Sequence, residues 1–248
     1  SAGMTLVNYA ESCSLSADGL RLAVSLRWGN TTNSLTGFAV YDYNTTTGQW
    51  SAPIVKYGEL MGVWNLPTEL SASNWMQMSY DGQVIALGCP CKLPTLVGKG
   101  LVQVWTTATA TGQTGESWLL EQSFTDARAD AVDGGFFGYS LSISFNGAMI
   151  AVGAYSFQNA VNAGRGDLII RASATSGAWR QMNHSYVANA TTTNAQVGSS
   201  MALSLDGHVL FLGAPKQNSK GAVLGWYLTE SAPLRDYRSD SLTRATPP

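Results

Sequence analysis

Between Phe137 and Ala154 the chain alternates: Leu141, Ile143 and Phe145 interleave with Ser140, Ser142 and Ser144. A period of two predicts a strand with one buried face. Asn146-Gly147 follows, read as the φ > 0 pair of a tight hairpin. A second apolar strand, Met149 to Val152, then ends at Gly153. The pattern occurs four times around the anchor Ser-x-Asp/Asn-Gly: Ser16-Asp18-Gly19, Ser79-Asp81-Gly82, Ser144-Asn146-Gly147 and Ser204-Asp206-Gly207. The Asp/Asn positions lie 63, 65 and 60 residues apart. Before each turn an apolar residue recurs at every second position: Cys13, Leu15 and Ala17; Met76, Met78 and Tyr80; Leu141, Ile143 and Phe145; Met201, Leu203 and Leu205.

A small residue closes each second strand (Ser25, Gly88, Gly153, Gly213), and a glycine opens each third one (Gly37, Gly100, Gly166, Gly221). Three repeats add a fourth segment at Trp50, Trp118 and Trp179. Four short strands per unit of about 60 residues predict an all-β fold, a β-propeller of four-stranded antiparallel blades. The expected domain is 1–228, with repeats at about 9–55, 74–124, 136–186 and 197–228 and a polar, Pro-ended tail over 229–248. The strand Met4 to Tyr9 has no repeat of its own and is expected to complete the last blade and close the ring.

Composition narrows the class. Apolar residues make up 45% of the 248, enough for a large core, while charged residues are only 12% and the net charge is −2. No basic block marks a nucleic-acid partner, and no apolar run approaches the ~18 residues of a membrane span. The first residues do not resemble a signal peptide. Four Asn-x-Ser/Thr sequons, at Asn30, Asn44, Asn183 and Asn189, fall between predicted strands. With the low charge they predict an extracellular or cell-surface location and N-glycosylation. Three cysteines do not fix the compartment; Cys13 is expected to face the core, and a Cys89–Cys91 bridge would be strained.

Phe137-Gly138-Tyr139-Ser140, Asn146-Gly147, Val152-Gly153-Ala154, Gly166 and Trp179 together resemble the FG-GAP repeat. Val197-Gly198, Asp206-Gly207 and Gly213-Ala214-Pro215 repeat it, and the first two units follow it more loosely. The resemblance covers about residues 9–228. It implies the propeller of integrin α subunits and of extracellular adhesion and matrix proteins, used for recognition or assembly. The four repeats are fewer than the seven blades usual in that family, so a small ring and a part of a larger ring both remain open. Members of the family often bind Ca²⁺ through Asp-rich hairpins. Here each hairpin has at most one carboxylate, too few for six to eight oxygens, and neither metal nor cofactor is expected.

Candidate chemistry is sparse. Arg165-Gly166-Asp167 is a cell-attachment tripeptide, weighed against a strand-opening glycine preceded by a basic residue, as in Lys99-Gly100 and Lys220-Gly221. His184 and His208 are the two histidines, and no Ser-His-Asp order or nucleophile elbow accompanies them. Asp126, Asp130 and Asp133 could form a carboxylate group for glycan hydrolysis, but a solvated inter-blade loop is the stronger reading, and no catalytic residue is assigned. The expected function is a non-catalytic extracellular interaction module for adhesion or assembly, with a protein or glycan partner or self-assembly. The alternatives are a lectin using Trp28 or Trp75 as sugar platforms and, behind it, a glycan-active enzyme. Because the loops between second and third strands vary while the hairpins are uniform, partner contacts are expected at Trp28, Lys92, Tyr155 and Arg165.

Overall fold

The computed structural model describes residues 5–29, 34–62, 75–90, 100–108, 111, 117–126, 136–155, 164–171, 178–187, 195–228 and 242–244. These form four antiparallel sheets, met in chain order. The first holds β1 (Thr5–Leu15), β2 (Arg21–Gly29) and β3 (Ser34–Asn44), with both the short β4 (Gln49–Trp50) and β5 (Ile54–Gly62) paired to β3. The second runs β6 (Met76–Met78), β7 (Val84–Cys89), β8 (Leu101–Thr106) and β9 (Leu119–Thr125). The third runs β10 (Ser140–Ile143), β11 (Met149–Ala154), β12 (Arg165–Arg171) and β13 (Trp179–Tyr186). The fourth runs β14 (Ser200–Leu203), β15 (Val209–Ala214), β16 (Ala222–Leu228) and β17 (Leu242–Arg244). The last three sheets are thus meanders of neighbouring strands, and the first departs only in that β5 also returns to β3; this is the topology of a propeller blade.

The alternation of side chains along each strand puts one set of residues against the preceding blade and the other against the next. Ala23, Phe38 and Val40 of blade one pack with Met76, Met78, Ile85, Leu87 and Trp105 of blade two. Phe38 meets the edges of Trp105 and Trp118 at ring distances of 5.4 and 5.7 Å. Val84, Ala86, Val102 and Val104 pack with Leu141, Ile143, Ile150, Val152 and Ile169 of blade three. Met149, Ala151, Leu168 and Ile170 then pack with Leu203, Leu210, Leu212 and Leu224 of blade four. Among the described residues the core is therefore three sandwich layers, one per junction, with a smaller cluster of Val24, Leu26 and Ala39 on blade one.

Glycines set how closely the blades approach. Gly138 and Gly198 are left-handed, with φ of 88° and 81°. Their carbonyl oxygens lie 2.1 Å from where a Cβ would stand on Gly88 and Gly153 of the blade before. Isolated parallel bridges, Gly100 to Phe137 and Gly164 to Val197, lie beside these contacts. Only residues without a Cβ permit backbones to meet this way, which gives the Phe-Gly and Gly-Ala repeats a physical cause.

Several expectations change. Residues 5–9 do not complete the last blade: they extend β1 and pair with β2, Thr5 opposite Gly29 and Tyr9 opposite Leu26. The fourth place beside β16 is taken by β17, from the stretch read as a polar tail, with Trp226 opposite Arg244. Cys13 is free and exposed, because no blade covers that side of β1, and Cys89 is disulfide-bonded. Trp118 and Trp179 are buried as packing residues, but Trp50 is 45% exposed, since β5 as well as β4 lies against β3 in that blade. Asn183 lies within β13, so that sequon is not in an open loop, whereas Asn44 ends β3 and its sequon runs into the exposed turn before β4.

Candidate functional site

Each hairpin is a self-contained hydrogen-bonded unit. The serine hydroxyl donates to the Asp or Asn Oδ1 at 2.6, 2.5, 3.3 and 2.5 Å in the four blades. That Oδ1 also accepts the N–H two residues on, from Leu20, Gln83, Ala148 and His208. The serine Oγ in turn accepts the N–H that starts the second strand, from Arg21, Val84, Met149 and Val209 at 2.8 to 3.0 Å. With the side chain doing this work, only the glycine is left-handed, with φ of 72°, 72°, 67° and 78°. Asn146 is not, which corrects the expected φ > 0 pair. Burial raises the Asp18 carboxyl, but hydrogen bonds from Ser16, Thr111 and Leu20 outweigh it and hold the group below its ordinary range. Asp206 is held down by the hydroxyl of Ser204, then by the His208 N–H. These carboxylates are spent on their own turns.

The turns present one residue each, between the serine and the Asp/Asn, at a shared edge. The Ala17 N–H donates to the Tyr80 carbonyl at 2.8 Å, Asp81 N–H to Phe145 at 3.2 Å and Phe145 N–H to Leu205 at 2.8 Å. The tips are thereby tied from blade to blade. Tyr80 and Phe145 stack at 6.2 Å with 7° between ring planes. Tyr80, Phe145 and Leu205 are nevertheless 43%, 48% and 48% exposed. An apolar row held this rigidly and left in water is a candidate contact surface. Sequence reasoning missed it, though the signal was there: the apolar period continues one residue past the strand, into the turn.

At the opposite end of the blades, several of the described polar and aromatic side chains are buried. Arg165 pairs with Ala154 in the ladder, so the glycine equivalent to Gly100 is Gly164, not Gly166. That two-residue offset moves Arg165 from the loop mouth into the sheet. Its Nε donates to Asp167 at 2.9 Å and its Nη2 to Asp126, all three side chains at most 1% exposed. Arg165 is thus an ion-pair centre joining blades two and three, and neither a partner contact nor an accessible attachment tripeptide. Tyr155 is buried too: it stacks on Phe136 at 5.3 Å and lies 4.3 Å from Tyr139. Burial, with Tyr139 beside it, pushes its phenol up to about 12, and burial raises Tyr139 as well. Trp75 is fully buried in the first junction and offers no face to a sugar. The backbone at Trp28 is strand, paired to Leu6 and Leu35, so the loop begins later than expected. Lys92, Asn30, Asn189, Asp130 and Asp133 and the side chains of Trp28, Asn183 and His184 lie outside the described residues. His208 serves its hairpin, with Nδ1 3.4 Å from the Leu228 carbonyl oxygen. Asn44 accepts the N–H groups of Thr46 and Thr47 at the turn after β3. Among the described residues, no three His, Cys, Asp or Glu side chains gather as metal ligands.

No protein-family model and no curated sequence matches the chain. Solved structures do. Sqt1 from Chaetomium thermophilum overlays with a TM-score of 0.51 at 11% identity, over 87% of this chain and 43% of Sqt1. The same protein bound to the N-terminus of the ribosomal protein L10 gives 0.48 at 9% identity, over 90% and 48%. TolB from Acinetobacter baumannii gives 0.43 at 14% identity, over 89% and 41%. The chain thus spans less than half of each of these proteins. With the blade topology above, the fold is a β-propeller.

Proposed function

We propose that this propeller is a non-catalytic interaction module that presents its hairpin end to a protein partner. The observation carrying this reading is the row Tyr80, Phe145 and Leu205, exposed yet fixed by inter-blade hydrogen bonds and ring stacking. A surface ordered before binding loses little entropy when a partner arrives. The polar groups that might instead have served catalysis are bound into the scaffold: Asp126 and Asp167 by Arg165, Asp42 by Arg21.

The setting we propose is extracellular or cell-surface, in adhesion or in assembly of a surface structure. The FG-GAP resemblance supports it, as do the four sequons and the bonded state of Cys89, since disulfides persist in oxidising compartments. The test is selection of a displayed peptide library on the folded chain, followed by Tyr80→Ser and Phe145→Ser. Peptides rich in apolar residues should emerge and lose at least about tenfold in affinity on the double variant. Peptides that bind the double variant as well as the parent chain would sink the reading.

A further inference from the structure

The junctions between consecutive blades share a set of contacts, with tip bonds at all three and serine bonds at the first and third. At the tips, the N–H bonds from Ala17, Asp81 and Phe145 cross to the next blade. On the innermost strand, the Ser12 hydroxyl donates to the Met76 carbonyl at 3.0 Å and Ser140 to that of Gly198 at 2.7 Å, while Ser142 Oγ accepts from Leu203 N–H. Opposite Ser140, Gly153 receives the Gly198 carbonyl, and in blade two Gly88, beside Trp75 in the serine's place, receives that of Gly138. Behind these stands an apolar face: Ala151 and Ile170 of blade three are buried under blade four.

Blade four carries the giving half of one more such junction. Ser200 pairs with Gly213 as Ser140 pairs with Gly153. Phe211 and Tyr227, at the ladder positions of Ala151 and Ile170, are 46% and 51% exposed, and Val223 beside them is 73% exposed. The Leu205 N–H is the next donor in the tip series. Blade one carries the receiving half. Cys13 and Leu15 occupy the places of Met76 and Met78, yet both are exposed. Ala10, two residues before Ser12 as Gly138 is before Ser140, is also left-handed, with φ of 59°. A left-handed alanine is strained, and in the later blades that conformation delivers the carbonyl to the blade before. Val24, Leu26 and Ala39 form a packed apolar layer behind.

Among the described residues the two halves do not meet within one copy: Phe211, Val223 and Tyr227 on one side and Cys13 and Leu15 on the other stay exposed, while Val24, Leu26 and Ala39 behind the latter are buried. We propose that two copies join head to tail, blade four of each against blade one of the other, closing a two-fold ring of eight blades. A heterologous contact of this kind gives a closed ring when its rotations complete a circle.

The test uses the whole chain. Light scattering after size exclusion at tens of micromolar should give twice the chain mass. Phe211→Asp should return it to one chain mass with an unchanged circular-dichroism spectrum, raising the dissociation constant roughly tenfold or more. In Ser200→Cys, mild oxidation should link the new thiol to the native Cys13 of the other copy, and adding Cys13→Ser should abolish the link. A single chain mass for the parent, a link formed within one copy, an open series of higher multimers, or a dimer untouched by Phe211→Asp would each overturn the proposal.

Discussion

The two ends of the blades are built on different principles. The hairpin end is assembled from one local unit, Ser-x-Asp/Asn-Gly, whose main bonds span two to five residues. Each turn is built from its own serine and Asp or Asn, is tied to its neighbour by a tip bond, and places an apolar residue outward. The other end depends on partners far away in the chain: Arg165 reaches Asp126, 39 residues back, and Gly153 receives the carbonyl of Gly198. There the polar and aromatic groups point inward and hold blades together. The lesson is that the strand ends beside the variable loops hold buried fasteners, while the uniform end, though also tied from blade to blade, leaves an apolar row exposed.

The sharpest way to break this contrast is at the fastener. Arg165→Met should destabilise by about 3–5 kcal/mol, because Asp126 and Asp167 remain buried without their cation. Against a total of ~5–15 kcal/mol, urea denaturation should show a large fall in midpoint. A loss below about 1 kcal/mol would mean that the triad is wet and the end is open.

Next comes Gly153→Ala. The new Cβ would stand 2.1 Å from the Gly198 carbonyl oxygen, a backbone atom that cannot swing aside. Overpacking of this kind costs about 1–3 kcal/mol. Gly207→Ala at the hairpin end meets nothing nearer than the Met149 sulfur at 3.4 Å, so it carries only the left-handed strain of φ 78°, about 1–2 kcal/mol. Thermal melts of the two variants should rank Gly153→Ala as the worse, and the reverse order would remove the distinction between a junction glycine and a turn glycine.

These magnitudes also explain which parts were legible in the sequence. The hairpins were readable because their causes are neighbours: Ser144, Asn146 and Gly147 carry both the motif and its bonds. The first strands of the later blades followed from the period of two, with Met76, Met78, Leu141 and Ile143 buried, whereas the fourth place of the last blade did not. Arg165 was misplaced because Gly164 and Gly166 both fit a strand-opening glycine, and only the pairing with Ala154 decides between them. Cys13 was misread for the opposite reason: its register was right, but no blade lies over it. The row at Tyr80, Phe145 and Leu205 was passed over because uniformity was taken as a sign of structure alone.

Ser144→Ala tests the local unit itself. The buried hydroxyl satisfies the Met149 N–H at 3.0 Å and donates to Asn146, so its loss should cost about 1–2 kcal/mol. The cost should stay confined to blade three: amide exchange should quicken at Met149 and leave Gly207 unchanged. Faster exchange in all four hairpins would show that the turns are coupled rather than independent.

The smallest effect is the dependence on pH. Asp18 and Asp206 have carboxyl groups held below the ordinary 3.8 by hydrogen bonds they accept in the folded turn. A group whose folded pKa is depressed contributes its stability in full above the unfolded value, and loses it as pH falls through the folded one. The melting temperature should therefore be insensitive to these two groups from neutrality to about pH 5 and feel them below about pH 4. Blade three already shows that the neutral Asn146 accepts the same bonds from Ser144 and Ala148. The double variant Asp18→Asn, Asp206→Asn should thus fold with little loss at neutral pH and fall less steeply between pH 5 and 3. The hairpin end would then differ from the fastener in one further respect, since its turns need an acceptor oxygen but no charge. A double variant whose melting temperature falls with acid as steeply as the parent's would place the acid sensitivity elsewhere and leave the turns without an electrostatic part.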